Sequence, residues 1–324
     1  MPVDSQTLAR ARGGDPAAFG ALVAPHRREL LAHCYRMAGS LHDAEDLLQD
    51  TLLKAWTALP GFEGRASLRT WLYRVATSVC LDAADRLARR TLPPEAGPDV
   101  AEPRWLEPWP GEPPDAAPGP EARYDARESV ALAFLTALQR LPPRQRAVLL
   151  LRDVLGWEAS ACAELFGHSV AAVNSALQRA RETLAREASP RRVPTDDDAL
   201  RALLRRYVQA WETADVKGLV ALLHEDAVLS MPPLPGWYRG PEAIAASLEQ
   251  MVLPPEAAGH FRLVAVQASG APAFAMYERE AGSGRFLARA VHVLELDGGR
   301  LAAITAFMEP GLFPAFELAP ELDS

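Results

Sequence analysis

The chain has 324 residues, 49% of them hydrophobic, and a formal net charge of −8. That length exceeds what one core usually serves, so two or three domains are expected. No run of about 18 uncharged apolar residues occurs, which argues against a membrane span, and the opening MPVDSQTLARARGGDP lacks the apolar run of a signal peptide. Cys34, Cys80 and Cys162 are far apart, show no zinc-ligand spacing and lie among apolar neighbours. Buried free thiols in a reducing cytoplasm are therefore expected, with no metal and no cofactor.

The charge is uneven along the chain. Residues 17–90 carry ten basic against eight acidic side chains, and residues 121–192 carry eleven against eight. The acidity is concentrated in residues 91–120 and in 193–324. Two mildly basic segments permit DNA contact without requiring it, and few phosphate contacts imply weak binding to duplex by the isolated chain.

Phe19 to Arg90 reads as helical throughout. Phe19, Leu22, Val23, Leu30, Leu31, Tyr35 and Met37 supply a first apolar face. In LHDAEDLLQDTLLKAW, the residues Ala44, Leu47, Leu48, Thr51, Ala55 and Trp56 fall on one side at helical spacing. Asp43, Asp46 and Asp50 fall on another, beside Gln49 and Leu53. Such a stripe is either a solvated helix face or a partner-binding one. Pro60-Gly61 ends this helix, and Ser67 caps the next, whose core stripe is Leu68, Trp71, Leu72, Val75, Ala76 and Val79. Arg69, Arg74, Ser78, Asp82 and Arg86 remain for solvent or ligand.

Thr91 to Pro120 contains ten prolines, a density that bars helix and central strand and defines an extended linker. Within it, Trp105-Leu106-Glu107-Pro108-Trp109-Pro110 is apolar for a solvated spacer, so the tryptophans are expected to dock. Residues 121–188 form a second helical segment. Gln145–Leu155 and Glu158–Phe166 read as helices, Gly167 as a helix stop, and Ser169 as the cap of a third helix with Val173, Leu177, Ala180 and Leu184 buried. Asn174, Ser175, Gln178 and Arg179 then face outward. The unit fits a helix-turn-helix that lays its last helix in a DNA major groove, or equally an ordinary helical hairpin of a core.

Residues 189–198 form a short linker. Beyond it, Ala199 to Leu223 reads as one amphipathic helix, Ala227–Met231 as a strand and Pro241–Met251 as a helix, followed by four strands in HFRLVAVQASG, APAFAMYERE, GRFLARAVHVLELDGG and RLAAITAFMEP. Asp297-Gly298-Gly299 marks a hairpin. Helices followed by an antiparallel meander give an α+β domain.

The two helical segments, in this order and with a proline-rich spacer, resemble bacterial RNA polymerase sigma factors of the extracytoplasmic-function (ECF) group over about residues 16–188. HDAEDLLQDTLLKAW with FEGRASLRTWLYRVATSVCLDAADR looks like the family's first domain, and LPPRQRAVLLLRDVLGWEASACAELFGHSVAAVNSALQRARETL like its second. The resemblance implies a cytoplasmic, non-enzymatic transcription initiation factor. Its partners would be the clamp region of core RNA polymerase, through Asp43, Asp46, Gln49, Asp50 and Leu53, and promoter DNA. The Phe62–Ser67 loop, with Phe62 and Arg65, and the Arg69, Arg74, Ser78, Asp82, Arg86 face would hold the melted −10 element. Ser169, Asn174, Ser175, Gln178 and Arg179 would meet the −35 element. The family often has Asn where Ser78 stands.

Residues 199–318 resemble SnoaL-like domains of the NTF2-like superfamily, a cone of curved sheet and helices around a pocket. Trp211, His224, Trp237, Tyr238 and His292 are the candidate pocket residues, for a small ligand of unknown identity. Asp226 joins His224, Tyr238 and His292 as a candidate acid or base. The alternative is that His224 and Asp226 simply end a helix and His292 packs in a strand. A subgroup of these sigma factors carries such a fused domain, and WLEPWP looks like its tryptophan-proline motif. The expected domains are thus 1–90 and 121–188, all-α, and 199–324, a SnoaL-like cone acting on them in cis through the linker residues Trp105, Leu106, Pro108 and Trp109. The other reading is a DNA-binding repressor or sensor with a ligand-binding or enzymatic C-terminal domain. The acidic helix favours the first, because a repressor needs no polymerase-binding face.

Overall fold

The computed structural model describes residues 5–87, 106–111, 131–187, 196–234 and 237–323. The chain divides into two compact units, 1–90 with 113–188, and 91–112 with 189–324. Among the described residues no helix is long and apolar enough to cross a membrane.

The first unit is helical. It opens with α1 (Ser5–Arg12), which the sequence reading did not assign, and α2 (Pro16–Val23). Asp15 caps α2 by accepting from Ala17 N and Ala18 N, with Pro16 pre-set for the first helical position. Next is α3 (Arg27–Ala38), which stops at Gly39 with φ 86°, a left-handed turn that glycine makes without strain. Ser40 then caps α4 (Leu41–Ala58) through the Asp43 N–H. Ser67 Oγ accepts from Thr70 N at the start of α5 (Leu68–Leu87), as expected. Leu30, Tyr35, Ala44, Leu47, Leu72 and Ala76 are buried among these helices.

The same unit includes α6 (Leu132–Gln139) and α7 (Pro143–Leu149). The helix expected over Gln145–Leu155 does not run straight. After Leu149 it widens into a π-turn over Leu150–Val154, in which Leu155 N reaches five residues back to Leu150 O at 3.0 Å. Then α8 (Ala159–Phe166) ends at Gly167, φ 64°, and α9 (Val170–Glu187) begins, with Ser169 Oγ accepting from Ala172 N. Val173, Leu177 and Ala180 are buried and Leu184 is half-buried. That is the expected stripe.

The second unit carries α10 (Asp197–Glu212), α11 (Val216–Val220) and α12 (Pro241–Met251) against a curved sheet. The single helix expected from Ala199 to Leu223 is two. Ala214 adopts φ 53°, and the Asp215 carboxylate accepts from Gly218 N at 2.8 Å, capping a new helix. The strands are β1 (Leu223–Ser230), β2 (Trp237–Arg239), β3 (Phe261–Ala268), β4 (Ala271–Arg279), β5 (Phe286–Asp297), β6 (Arg300–Phe307) and β7 (Glu321–Leu322). Their order is β2-β1-β6-β5-β4-β3, with β7 on β5. β3 to β6 form the expected antiparallel meander. β1 pairs parallel with β6, a crossover that no local pattern announces. The Gly298-Gly299 turn has φ 54° and 80°, both positive as a type I′ hairpin requires. Leu203, Tyr207, Trp211, Ile244, Leu248, Phe274, Leu294 and Ile304 belong to the core between helices and sheet.

Candidate functional site

On α4, Asp46, Gln49 and Asp50 are exposed together with Leu53, whose side chain is 65% exposed. One apolar side chain is thus left in water beside two carboxylates. Glu45 is exposed on the same face, four residues before Gln49. Asp43 is a correction: it is buried, 7% exposed. The first turn of α4 leaves the buried Gly39-Ser40 turn beside α3 and is covered there.

The face of α5 is already engaged within the chain. Arg69 bonds Glu29 at 2.7 Å and lies over the Tyr73 ring. Arg74 makes two parallel bonds of 2.9 Å to Glu164, which raise the basicity of the guanidinium and hold the Glu164 carboxyl below the usual carboxylate range. Ser78 and Asp82 share the Lys54 ammonium, at 3.1 and 3.2 Å. The Arg86 side chain lies outside the described residues. In the preceding loop Arg65 is exposed and pairs with Glu63. Phe62 departs from expectation: it is buried against Trp71, ring centroids 5.1 Å apart, because its apolar ring is worth more in the core than in a polar loop.

On α9, Asn174, Ser175, Gln178 and Arg179 are all exposed. Gln178 donates to Glu182, and Arg181 forks onto Asp153 at 2.7 and 2.9 Å. Ser169 is occupied as the helix cap.

Of the linker, Trp105 lies outside the described residues. Residues 106–111 run along the turn between β3 and β4. Trp109 is buried, its N–H donates to Ser269 Oγ at 3.0 Å, and Ser269 N donates back to Trp109 O at 2.8 Å. Gly111 N bonds Gln267 O, and Pro110 bridges antiparallel to Ala268. Leu106 and Glu107 line a small cleft with Pro232, Pro233, Phe307 and Leu312. Ser269 has φ 53°, a strained region for a non-glycine residue, and both its backbone N–H and its hydroxyl are engaged by the linker.

In the cone, Trp211 and His292 come together with Tyr207, which is not among the candidate pocket residues named from the sequence. The ring centroids of Trp211 and His292 are 4.8 Å apart, and Tyr207 Oη is 2.8 Å from His292 Nδ1. Tyr207 and Trp211 are four apart on one helix, a spacing that signals a shared face. Burial lowers the pKa of His292 to about 3 and pushes that of Tyr207 up, so both are neutral and share one hydrogen bond between phenol and imidazole. The other candidates do not join them. His224 is half-buried near the start of β1, Asp226 and Trp237 are exposed, and Tyr238 packs on the core edge with its hydroxyl toward Met251. β2 is a three-residue edge strand, which leaves Trp237 on the rim.

The buried histidine makes stability depend on pH. The unfolded imidazole takes a proton near pH 6.5, whereas the folded one resists until about 3. The unfolded state therefore binds more protons between these values. Stability is full above pH 6.5 and falls as pH drops through the window. His33, buried against Thr77 and held down to about 3 chiefly by burial, acts the same way in the helical unit. Moving from pH 7.5 to 5.5 is expected to cost each unit roughly 1–2 kcal/mol. Calorimetric unfolding at both pH values checks this, and an unchanged transition for either unit contradicts it for that histidine.

A helix-turn-helix with a polar outward face, an acidic helix bearing an exposed leucine, and an α+β cone define a multidomain DNA-binding protein. Comparison with known proteins makes this particular. The chain matches the family models for sigma-70 region 2 over residues 22–90, for sigma-70 region 4 over 131–184, and for the SnoaL-like domain over 204–304. It is 46% identical to the ECF RNA polymerase sigma factor SigG of Mycobacterium tuberculosis, over 99% of this chain and 90% of that one. It is 32% identical to SigM of the same species over 56% of this chain and 83% of that one. The crystal structure of the M. tuberculosis ECF sigma factor SigJ has the same fold, with a TM-score of 0.62 at 23% identity over 94% of this chain and 100% of the other. The chain belongs to the ECF sigma factors of RNA polymerase and carries a C-terminal SnoaL-like domain.

Proposed function

We infer that this chain binds the clamp of core RNA polymerase through Asp46, Gln49, Asp50 and Leu53, places α9 on the −35 element and α5 on the −10 element, and starts transcription in the cytoplasm. The observation that carries this reading is the pairing, in one helical unit, of an acidic face around an exposed leucine with a helix-turn-helix whose last helix turns four polar side chains to solvent. The SnoaL-like domain regulates in cis: by holding residues 106–111, it sets how much linker is free between the two promoter-reading segments. Run-off transcription with core polymerase tests the reading, comparing the full chain with residues 1–192. No transcript from either removes it, and equal activity in both removes the regulatory part.

Arg179 is the long basic side chain of the proposed −35 reading face. Arg179→Ala is expected to weaken promoter binding by the holoenzyme by about 1–3 kcal/mol if the guanidinium reaches a base edge, with relaxed preference at one base pair. A uniform loss with a shallower salt slope would place it on phosphate instead. Unchanged affinity and unchanged salt slope would remove Arg179 from the interface.

A further inference from the structure

The outward face of α9 has a composition that narrows what it can read. Val173, Leu177 and Ala180 are buried, and Ala171, Asn174, Gln178 and Glu182 recur at helical spacing on the exposed side. Val170, in the first turn beside them, is 44% exposed. Val170–Gln178 carry no charged side chain, and the first charge of the helix is Arg179. Arg181 is taken up by its fork onto Asp153 at 2.7 and 2.9 Å. Gln178 Nε2 donates to Glu182 Oε1 at 2.9 Å. A carboxylate only accepts, so this bond fixes the amide, with Nε2 toward Glu182 and Oε1 away from it. One Nε2 hydrogen and the Oε1 lone pairs remain for a ligand.

Each base pair shows its own pattern of donors and acceptors in the major groove. A carboxamide matches adenine, accepting from N6–H and donating to N7, whereas guanine is matched by the paired donors of arginine or lysine. Thymine alone offers an apolar group there, its C5-methyl. The N-terminal part of a recognition helix goes to the base edges. In α9 that part offers two carboxamides and an exposed valine but no cation. We propose that α9 selects adenine·thymine pairs: Asn174 and Gln178 each read the N6/N7 edge of an adenine, Glu182 positions the Gln178 amide, and Val170 packs on a thymine methyl. This rests on the placement of α9 at the −35 element and names the bases read there. Glu182 is a positioning residue. Without it the amide is free to turn over, and the turned form puts a donor against N6–H, where an acceptor is required. Ser175 suits either kind of base pair and adds no selection. Any guanine contact from this face falls to Arg179.

The test selects duplexes randomised over the −35 region, using holoenzyme assembled from core polymerase and the full chain. The selected element is expected to contain two A·T pairs whose preference is lost separately, one in Asn174→Ala and the other in Gln178→Ala. Both side chains are exposed, so folding does not require them. Changing either pair to G·C is expected to weaken binding about 5- to 100-fold, the range of a bidentate contact. An adenine analogue with carbon in place of N7 pairs normally but weakens binding several-fold at the same positions. Uracil in place of the thymine costs roughly fourfold, the worth of one buried methyl, and this penalty shrinks in Val170→Ala. Glu182→Ala relaxes the preference at the Gln178 pair and not at the Asn174 pair. A change equal for all sequences would be the effect of its charge alone and would remove the positioning role. Selection of G·C at the pairs that depend on Asn174 and Gln178 overturns the proposal and leaves the sigma-factor reading standing. So does unchanged affinity for the adenine analogue, which would assign the preference to duplex shape. Absence of any preference over the −35 region overturns the proposal together with the placement of α9 there.

Discussion

Asp46→Arg is expected to abolish assembly with core RNA polymerase while leaving the helical unit folded. The side chain is exposed on α4, opposite the stripe of Ala44, Leu47, Leu48 and Thr51 that packs in the core, so folding does not require it. At an interface the substitution removes an attraction and adds a repulsion, together several kcal/mol once water is excluded. Leu53 beside it is 65% exposed and would supply the apolar part of the proposed contact. Asp43→Arg makes the contrast. That position is buried, and an unpaired arginine there is expected to destabilise the unit by about 3 kcal/mol or more rather than to act on the partner. Gel filtration with core polymerase, with circular dichroism of the free protein, separates the two. Normal holoenzyme from the Asp46→Arg chain would exclude α4 as the docking surface.

Trp109→Ala is expected to release the linker from the SnoaL-like domain and to change transcription by the full chain but not by residues 1–192. Truncating a buried tryptophan costs about 3–5 kcal/mol. The rest of the hold includes the bonds to Ser269 and Gln267, each worth about 1 kcal/mol net, a short bridge at Pro110, and the seating of Leu106 and Glu107 in their small cleft. Losing the ring should therefore undock residues 106–111 while leaving the sheet intact, since Trp109 belongs to the linker and not to the meander. Tyr207, Trp211 and Phe274 form the cone's own aromatic core and remain in place. Amide exchange at Ser269 and Gly111 reads the docking directly, and run-off transcription reads its consequence. Retained protection at these amides, or an equal effect in the truncated chain, would exclude the linker as the regulatory element.

Local features of these residues were sufficient for most of the elements. The caps at Ser67 and Ser169, the stop at Gly167, the Gly298-Gly299 hairpin and the apolar stripes of α4, α5 and α9 each depend on neighbours within a few positions. Helical spacing also placed Asn174, Ser175, Gln178 and Arg179 outside, because a short helix packed on one side has only one way to hide Val173, Leu177 and Ala180. Of the two tryptophans expected to dock, Trp109 does so, since so large an apolar surface is costly in water, and Trp105 lies outside the described residues.

What depends on distant residues was not legible. Asp43 lies on the same helical stripe as Asp46 and Asp50, and only the tertiary packing around the first turn of α4 buries it. Phe62 was read as loop, and Trp71 makes it core. Nothing near Trp109 names its partner, which lies about 160 positions away in the Ser269 turn. The crossover that sets β1 parallel to β6 pairs residues more than seventy apart, and it decides which candidate pocket residues meet: Trp211 and His292 inside, His224 and Trp237 outside. Arg146 is the extreme case. Nothing in PPRQRAVLL distinguishes it from Arg144, because the Met37 carbonyl it bonds belongs to a helix that ends more than a hundred residues earlier. Periodicity and capping act through the backbone of a few residues. Burial of a charge is decided by whatever surface the fold brings over it.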